Sequence, residues 1–251
     1  MKHIIVLTAF FITVLTACKK EQASTYNPSV KADLSVEFDN IAGASDFQLN
    51  TGVYKNAARE TFTISRLKYY VSNFILTNTD ESIYKAPQDS CYFLIDESDE
   101  TTHEPVLHIP EGEYKTISFI VGVDSARSTM DIRKRTGVLD SVEDMYWNAA
   151  KGYVFFKMEG VSPAIPAAGN HFIYEIGGNL KTITLDLTQR GIPKIKSGKD
   201  TNIHLFVDIL RALSSKTAIS FAATPLINAA AGGKQVADNY ATMFKHDHTE
   251  N

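Results

Sequence analysis

Residues Asn202–Leu210, with the sequence NIHLFVDIL, decide the fold class because apolar and polar side chains alternate along them. In an extended chain, Ile203, Leu205 and Val207 project to one side, and His204 projects to the other. A period of two residues is typical of a strand with one buried face. This segment therefore predicts a half-buried strand with His204 pointing outward.

The same alternation, or a richness in β-branched and aromatic residues, recurs along the chain in Leu34–Phe38, Leu67–Leu76, Cys91–Asp96, Tyr114–Val123, Gly152–Met158, Phe172–Ile176 and Leu180–Leu187. Because turn signals separate these segments and few helical stretches intervene, they predict an all-β fold, an antiparallel sandwich or barrel-like structure. Asp124–Asp144 is charged and predicts a long excursion with a short helix. Val236, Tyr240, Met243 and Phe244 form a helical stripe, which predicts a short C-terminal helix.

The N-terminal sequence predicts export and a lipid anchor. Residues 1–17 have a short positive start and an apolar run that is too short for a permanent membrane span but suits a signal peptide. The run ends in Leu-Thr-Ala before Cys18, which resembles the bacterial lipobox. We expect lipidated Cys18 to begin the mature chain, residues 18–31 to form a tether, and residues 32–251 to form the β domain. The expected location is the outer membrane, facing the periplasm or the cell surface.

Composition narrows the range of functions. The formal net charge of −4 gives no basic field that would attract nucleic acid. With Cys18 lipidated, Cys91 is the remaining cysteine, so no internal disulfide forms. Cys91 lies in an apolar run, which favours a small buried side chain over a reactive thiol or a metal ligand.

Catalytic signatures are absent from the sequence: it has no phosphate-binding glycine loop, nucleophile elbow or HExxH motif. We therefore expect a protein that is not an enzyme. His246 and His248 form an H-x-H unit that could bridge a metal, but its place near the end of the sequence favours a solvated tail. His171 and Glu175 share a strand face about 13 Å apart, so they reach one ion only if the strand bends.

Several segments together resemble the MbnP-like copper-binding proteins, in the form that recurs among Bacteroidetes lipoproteins. They are LSVEFDN, LNTGVYKNAARETFTISRLKYYVSNFILT, YFLID, PEGEYKTISFIVGVDSAR, TGVLD, MYWNAAKGYVFFKMEGVSP, YEIGG and VADNYATMF. The resemblance runs from about Leu34 to His248. GVDSAR, MYW with GY five residues on, and KMEG are distinctive as a set.

The resemblance implies a β-rich exported protein that binds copper. Better-known members bind copper through histidines and carry a tryptophan that a dihaem partner of the MbnH type oxidises to kynurenine. Trp147, the single tryptophan of the chain, matches the first tryptophan of the family motif, whereas Ala149 replaces the second. Glu175 stands at the place of a family histidine, and Ser128-Thr129 replaces an Asn-His pair.

These replacements leave the function open between three alternatives. Copper binding or relay would use Glu175, His171 and Ser128 beside the redox-motif residue Trp147, although carboxylates suit harder ions better than soft Cu(I). A metal-free binding or structural module of the cell envelope fits the missing imidazoles. An enzyme would need an acid–base set that the sequence does not reveal. Trp147 itself has two possible roles. It is either a packing residue whose N–H donates to a nearby acceptor, or a retained part of the redox motif.

Overall fold

The computed structural model describes residues 26–228 and 233–251. The predicted signal peptide and Cys18 lie outside the described residues. The first strand begins at Lys31, but contacts with the domain start earlier. The Tyr26 hydroxyl donates to Glu113 and the Asn27 N–H donates to Glu111, so the end of the expected tether packs on the domain.

Strands dominate the described part of the chain. Strands β1 to β8 are Lys31–Ala42, Ser45–Asp46, Tyr54–Lys55, Thr61–Asn78, Ile83–Lys85, Tyr92–Asp96, Val106–Pro110 and Gly112–Val121. Strands β9 to β17 are Tyr146–Asn148, Gly152–Tyr153, Phe156–Val161, His171–Ile176, Lys181–Asp186, Lys194–Ile195, Asn202–Asp208, Leu226–Ile227 and Phe244–Glu250.

Helices are short. The α-helices α1 to α3 are Ser125–Ser128, Arg211–Ser214 and Lys234–Tyr240. Single-turn 3₁₀ helices are Gln88–Ser90, Glu100–Thr102, Ile132–Lys134, Gly137–Leu139 and Ser141–Glu143. The expected C-terminal helix is present as α3, but it ends at Tyr240, so Met243 and Phe244 of the predicted stripe lie beyond it and Phe244 begins β17. The charged excursion contains the short helix α1. Within the described residues, no helix has the length and apolarity that crossing a membrane requires.

Two curled sheets form the predicted sandwich. The first sheet has the order β17-β15-β1-β2, with β7 also paired to β1. The second has the order β13-β8-β4-β11-β12-β16, with further short strands paired to β4 and β8. Most pairs are antiparallel, as predicted, but β1 pairs with β15 and β12 pairs with β16 in parallel. Parallel neighbours need a long crossover, and between β1 and β15 the chain supplies it by building most of the second sheet.

The core lies between the sheets and follows the alternation in the sequence. Ile203, Leu205 and Val207 are fully buried. Phe244, at the start of β17, packs its ring 5.2 Å from that of Phe119, centroid to centroid. This anchoring corrects one expectation: the segment around His246 is not a solvated tail but an edge strand paired with β15.

A second, smaller apolar cluster lies outside the main core. The excursion between β8 and β9 folds back and buries Leu139 and Met145 against Tyr70 and Tyr153. Trp147 packs on the margin of this cluster. The excursion and the β9–β10 hairpin thus hold the indole over the second sheet.

Candidate functional site

Trp147 and Glu175 meet at the centre of the candidate site. Trp147 lies in β9, and its indole N–H donates to Glu175 Oε2 at 2.6 Å. Glu175 lies in β12 between the buried residues Tyr174 and Ile176, so strand alternation turns its carboxylate to the outer face. The indole N–H therefore has the polar acceptor that a packed tryptophan requires.

Gly177 explains how the indole approaches β12. A Cβ atom added at Gly177 would lie 2.7 Å from Trp147 Cζ3 and 2.5 Å from the Tyr153 carbonyl oxygen. Neither separation is tolerable, and one of the two atoms belongs to the backbone. The glycine that follows Glu175-Ile176 is therefore needed for the ring to pack there.

A buried lysine completes the centre of the site. Lys157 lies in β11 directly across from Glu175, and its side chain is only 2% exposed. Its ammonium is 3.0 Å from Glu175 Oε1 and 2.8 Å from Asp144 Oδ2. Burial favours the neutral amine, but the hydrogen bonds to Asp144 and Glu175 outweigh burial and raise the pKa of Lys157. The site thus contains a fixed positive charge.

Asp144 is the outer partner of this lysine. Hydrogen bonding to Lys157 lowers the pKa of Asp144, and Arg66 lies 2.8 Å from the same carboxylate oxygen. Asp144 has a positive φ of 57°, a conformation that aspartate tolerates better than most residues. The carboxylates of Asp144 and Glu175 are therefore both engaged by cationic side chains.

Ser128 and Trp147 border the same cavity, which has a volume of about 830 Å³. Ser128 is the last residue of α1. At the start of this helix, the Asp124 carboxylate accepts hydrogen bonds from the first backbone N–H groups. The Ser128 hydroxyl donates to the Val123 carbonyl oxygen at 3.2 Å. The guanidinium of Arg135 covers the neighbouring ring of Tyr146 at 4.4 Å.

His171 does not join these residues. It is exposed at the start of β12 and lies four positions before Glu175 along the strand, which corresponds to about 13 Å. β12 keeps an unbroken register with β11 from Phe156 to Val161, so no bend closes that gap. The structure therefore joins Trp147 to Glu175, places Ser128 beside Trp147 at one cavity, and leaves His171 outside this group.

Lys157 was missed as a site residue by sequence reasoning. Its signal was a charged residue between Phe156 and Met158 in an apolar strand. Cys91, by contrast, is a buried free thiol as expected, and burial raises its pKa.

The fold and the site define a class of protein: a two-sheet β-sandwich with an excursion that holds a motif tryptophan against the outer face of the second sheet. The MbnP family model matches residues 31–230, and the chain belongs to the MbnP family. MbnP from Methylosinus trichosporium has a similar solved structure, with a TM-score of 0.53 and 14% sequence identity over 81% of this chain and 82% of that chain. At that identity the likeness concerns the fold alone. A comparison with curated proteins gives no match.

Proposed function

We propose that this chain is an exported, lipid-anchored protein of the outer membrane that binds a metal ion, with copper as the first candidate, and that it is not an enzyme. The observation that carries the proposal is its membership of the MbnP family, whose name is associated with copper. The lipobox-like sequence that ends in Cys18 supports the anchor.

The residues around Trp147 do not fit a copper ion. Copper ions prefer imidazole or sulfur ligands in proteins, and Glu175 supplies a carboxylate instead. Both oxygens of that carboxylate are engaged, one by the Lys157 ammonium and one by the indole N–H. A cation bound there would also face the fixed charge of Lys157. We therefore do not propose that Glu175 binds copper, and we propose no reaction that depends on a metal ion beside Trp147.

A metal-free binding module of the cell envelope is the second candidate function. The ion pair between Lys157 and Glu175 favours it because that pair supplies internally the charge balance that a metal would otherwise provide. In this function the cavity beside Ser128 and Trp147 would receive a partner molecule.

The first candidate function, metal binding, includes a dihaem partner protein of the MbnH type. Trp147 is only half-buried and borders an open cavity, so an oxidant can approach its ring. If such a partner acts on this chain, the tryptic peptide that contains Trp147 will carry the mass change of kynurenine formation.

Metal retention tests the proposal most simply. The full-length protein, purified in detergent, is loaded with Cu²⁺ or with Cu⁺ under reductant, desalted, and analysed for metal and protein. We expect about one retained ion per chain. No retained metal would remove the first candidate function and leave the metal-free module.

A further inference from the structure

His204, Asp247 and His248 form a compact cluster on the outer face of the first sheet. Within residues 26–228 and 233–251, they are the one group of three His, Cys, Asp or Glu side chains whose ligand atoms converge, all within 4.8 Å of one another. The imidazole rings of His204 and His248 are tilted by 33° with centroids 4.8 Å apart. The cluster lies on a different sheet from Trp147 and Glu175.

A β-bulge creates this cluster. In the pairing of β15 with β17, His204 faces His248 and Leu205 faces His246, so Asp247 is the extra residue. In a regular strand Asp247 and His248 would point to opposite faces. Bulges redirect a side chain, and this one turns Asp247 toward the face that carries both imidazoles. The Asp247 carboxylate lies 2.7 Å from His248 Nδ1 and 3.4 Å from His204 Nδ1.

His204 has an unused ring nitrogen inside the cluster. Its Nδ1 atom is inaccessible to solvent and makes no hydrogen bond within the protein. Buried polar atoms without a partner are rare in folded proteins. The opposite nitrogen, Nε2, faces the carboxylates of Glu37 and Asp39 at 3.6 Å each. Metal-binding histidines commonly have a carboxylate behind the ring in this way.

The surroundings are rich in negative charge. Glu250 lies 3.5 Å from His248 Nε2, and Arg190, 3.6 Å from Asp247, is the nearby cation. Glu37 and Asp39 also border an adjoining acidic groove that includes Glu97. A concentration of one sign of charge in a groove attracts counter-ions.

We propose that His204, Asp247 and His248 bind a divalent transition-metal ion of the Zn²⁺ or Cu²⁺ type. Two imidazoles and a carboxylate suit these borderline ions, whereas Ca²⁺ prefers oxygen ligands alone and Cu⁺ prefers sulfur. The inference rests on the proposed metal binding and gives the ion a place away from the family motif. Asp247 and His248 lie beyond residues 31–230, where the family match ends.

Only small movements are needed to form the site. A tetrahedral ion with bonds of about 2.0–2.1 Å separates its ligand atoms by about 3.3 Å, so the present atoms must approach by up to about 1.5 Å. The His248 side chain is 46% exposed and can rotate. His204 lies in a strand that is paired on both sides and is therefore fixed. The side chains of His248 and Asp247 would move toward the His204 ring to complete the site.

Titration of the metal-free, full-length protein with Zn²⁺ alone and with Cu²⁺ alone tests the site. We expect one ion per chain, with binding weakened more than about tenfold in His248→Ala and His204→Gln, because even second-shell changes cost that much. His108→Ala is the matched control, since His108 forms an exposed pair with a single aspartate, Asp33. Cu²⁺ electron paramagnetic resonance should show nitrogen couplings that decrease in His248→Ala.

The outcomes separate the site from the proposed function. Binding that is lost in both cluster variants and kept in His108→Ala supports the site. Binding that is unchanged in His248→Ala, a change at an exposed side chain, overturns the site but leaves metal binding intact. No binding of either ion by the unaltered protein overturns the site, and if Cu⁺ is not retained either, the proposed metal binding is overturned with it. Thermal melts of each variant verify that His204→Gln remains folded.

Discussion

A double-mutant cycle on Lys157 and Glu175 tests whether the ion pair holds the centre of the Trp147 site. The variants are Lys157→Met, Glu175→Gln and the double substitution. Removing one partner of a buried pair costs about 3–5 kcal/mol. In Glu175→Gln, Lys157 retains Asp144, and the Glu175 side chain is 20% exposed, so we expect a smaller loss of about 2–3 kcal/mol.

Lys157→Met should cost less, about 1–2 kcal/mol, because water can reach the partly exposed carboxylate that it leaves behind while methionine fills the buried volume. If the charges act as a pair, the double variant will be more stable than the sum of the single losses predicts, with a coupling energy of about 1–3 kcal/mol. Urea unfolding at neutral pH gives these free energies.

Two further observations make that experiment decisive. Lys234→Met removes a lysine that is 69% exposed and paired with Asp238, so it should change stability by less than about 0.5 kcal/mol. Trp147 fluorescence should shift in Glu175→Gln, since the indole loses a charged acceptor. Single losses below about 0.5 kcal/mol that simply add would refute the interpretation.

Three other substitutions test a buried hydrogen-bond group, the approach of the indole, and the packing of the main core. Glu60→Gln should cost about 1–3 kcal/mol, because the Glu60 carboxylate accepts from the Ser220 hydroxyl and the Phe221 N–H; urea unfolding that shows no loss would contradict this. Burial opposes the charge on Glu60, but these hydrogen bonds prevail and lower its pKa below the ordinary 4.5. Its contribution is therefore complete above pH 4.5 and lost as the pH falls through the folded-state pKa, so the stability of the unaltered protein should fall over that acid range, and Glu60→Gln should flatten that fall. Gly177→Ala should displace the indole at a cost of about 1–3 kcal/mol, visible as altered fluorescence; an unchanged spectrum and stability would mean that the close approach is not required. Phe244→Ala should cost about 3–5 kcal/mol and raise amide exchange along β17, whereas unchanged exchange would show that this ring does not anchor the strand.

The alternation of apolar residues carried most of the fold prediction. Ile203, Leu205 and Val207 are buried as their spacing indicates. Side chains alternate between the two faces of a strand, so the face that carries the apolar residues is the one that packs in the core. The parallel pairing of β1 with β15 could not be predicted in this way. Alternation defines which face of a strand is buried but not which strand lies beside it.

The site was predictable only in part. The motif around Trp147 and the glutamate at position 175 were correctly selected as neighbours, because the family resemblance supplied a long-range relation that spacing does not contain. Lys157 was missed because its role depends on ion pairs with Asp144 and Glu175. These carboxylates lie in other segments, and the sequence does not show that they approach the lysine. The clustering of Asp247 with His204 depends on a one-residue bulge, and a regular alternation places that aspartate on the opposite face.

Anomalous diffraction from crystals of the full-length protein grown with Zn²⁺, and separately with Cu²⁺, tests most directly where this chain binds metal. Our account predicts one strong anomalous peak between His204 and His248, with Asp247 as a ligand, and no peak between Trp147 and Glu175. A peak beside Glu175 that displaces the Lys157 ammonium, or metal-loaded crystals without density at His204, would contradict it.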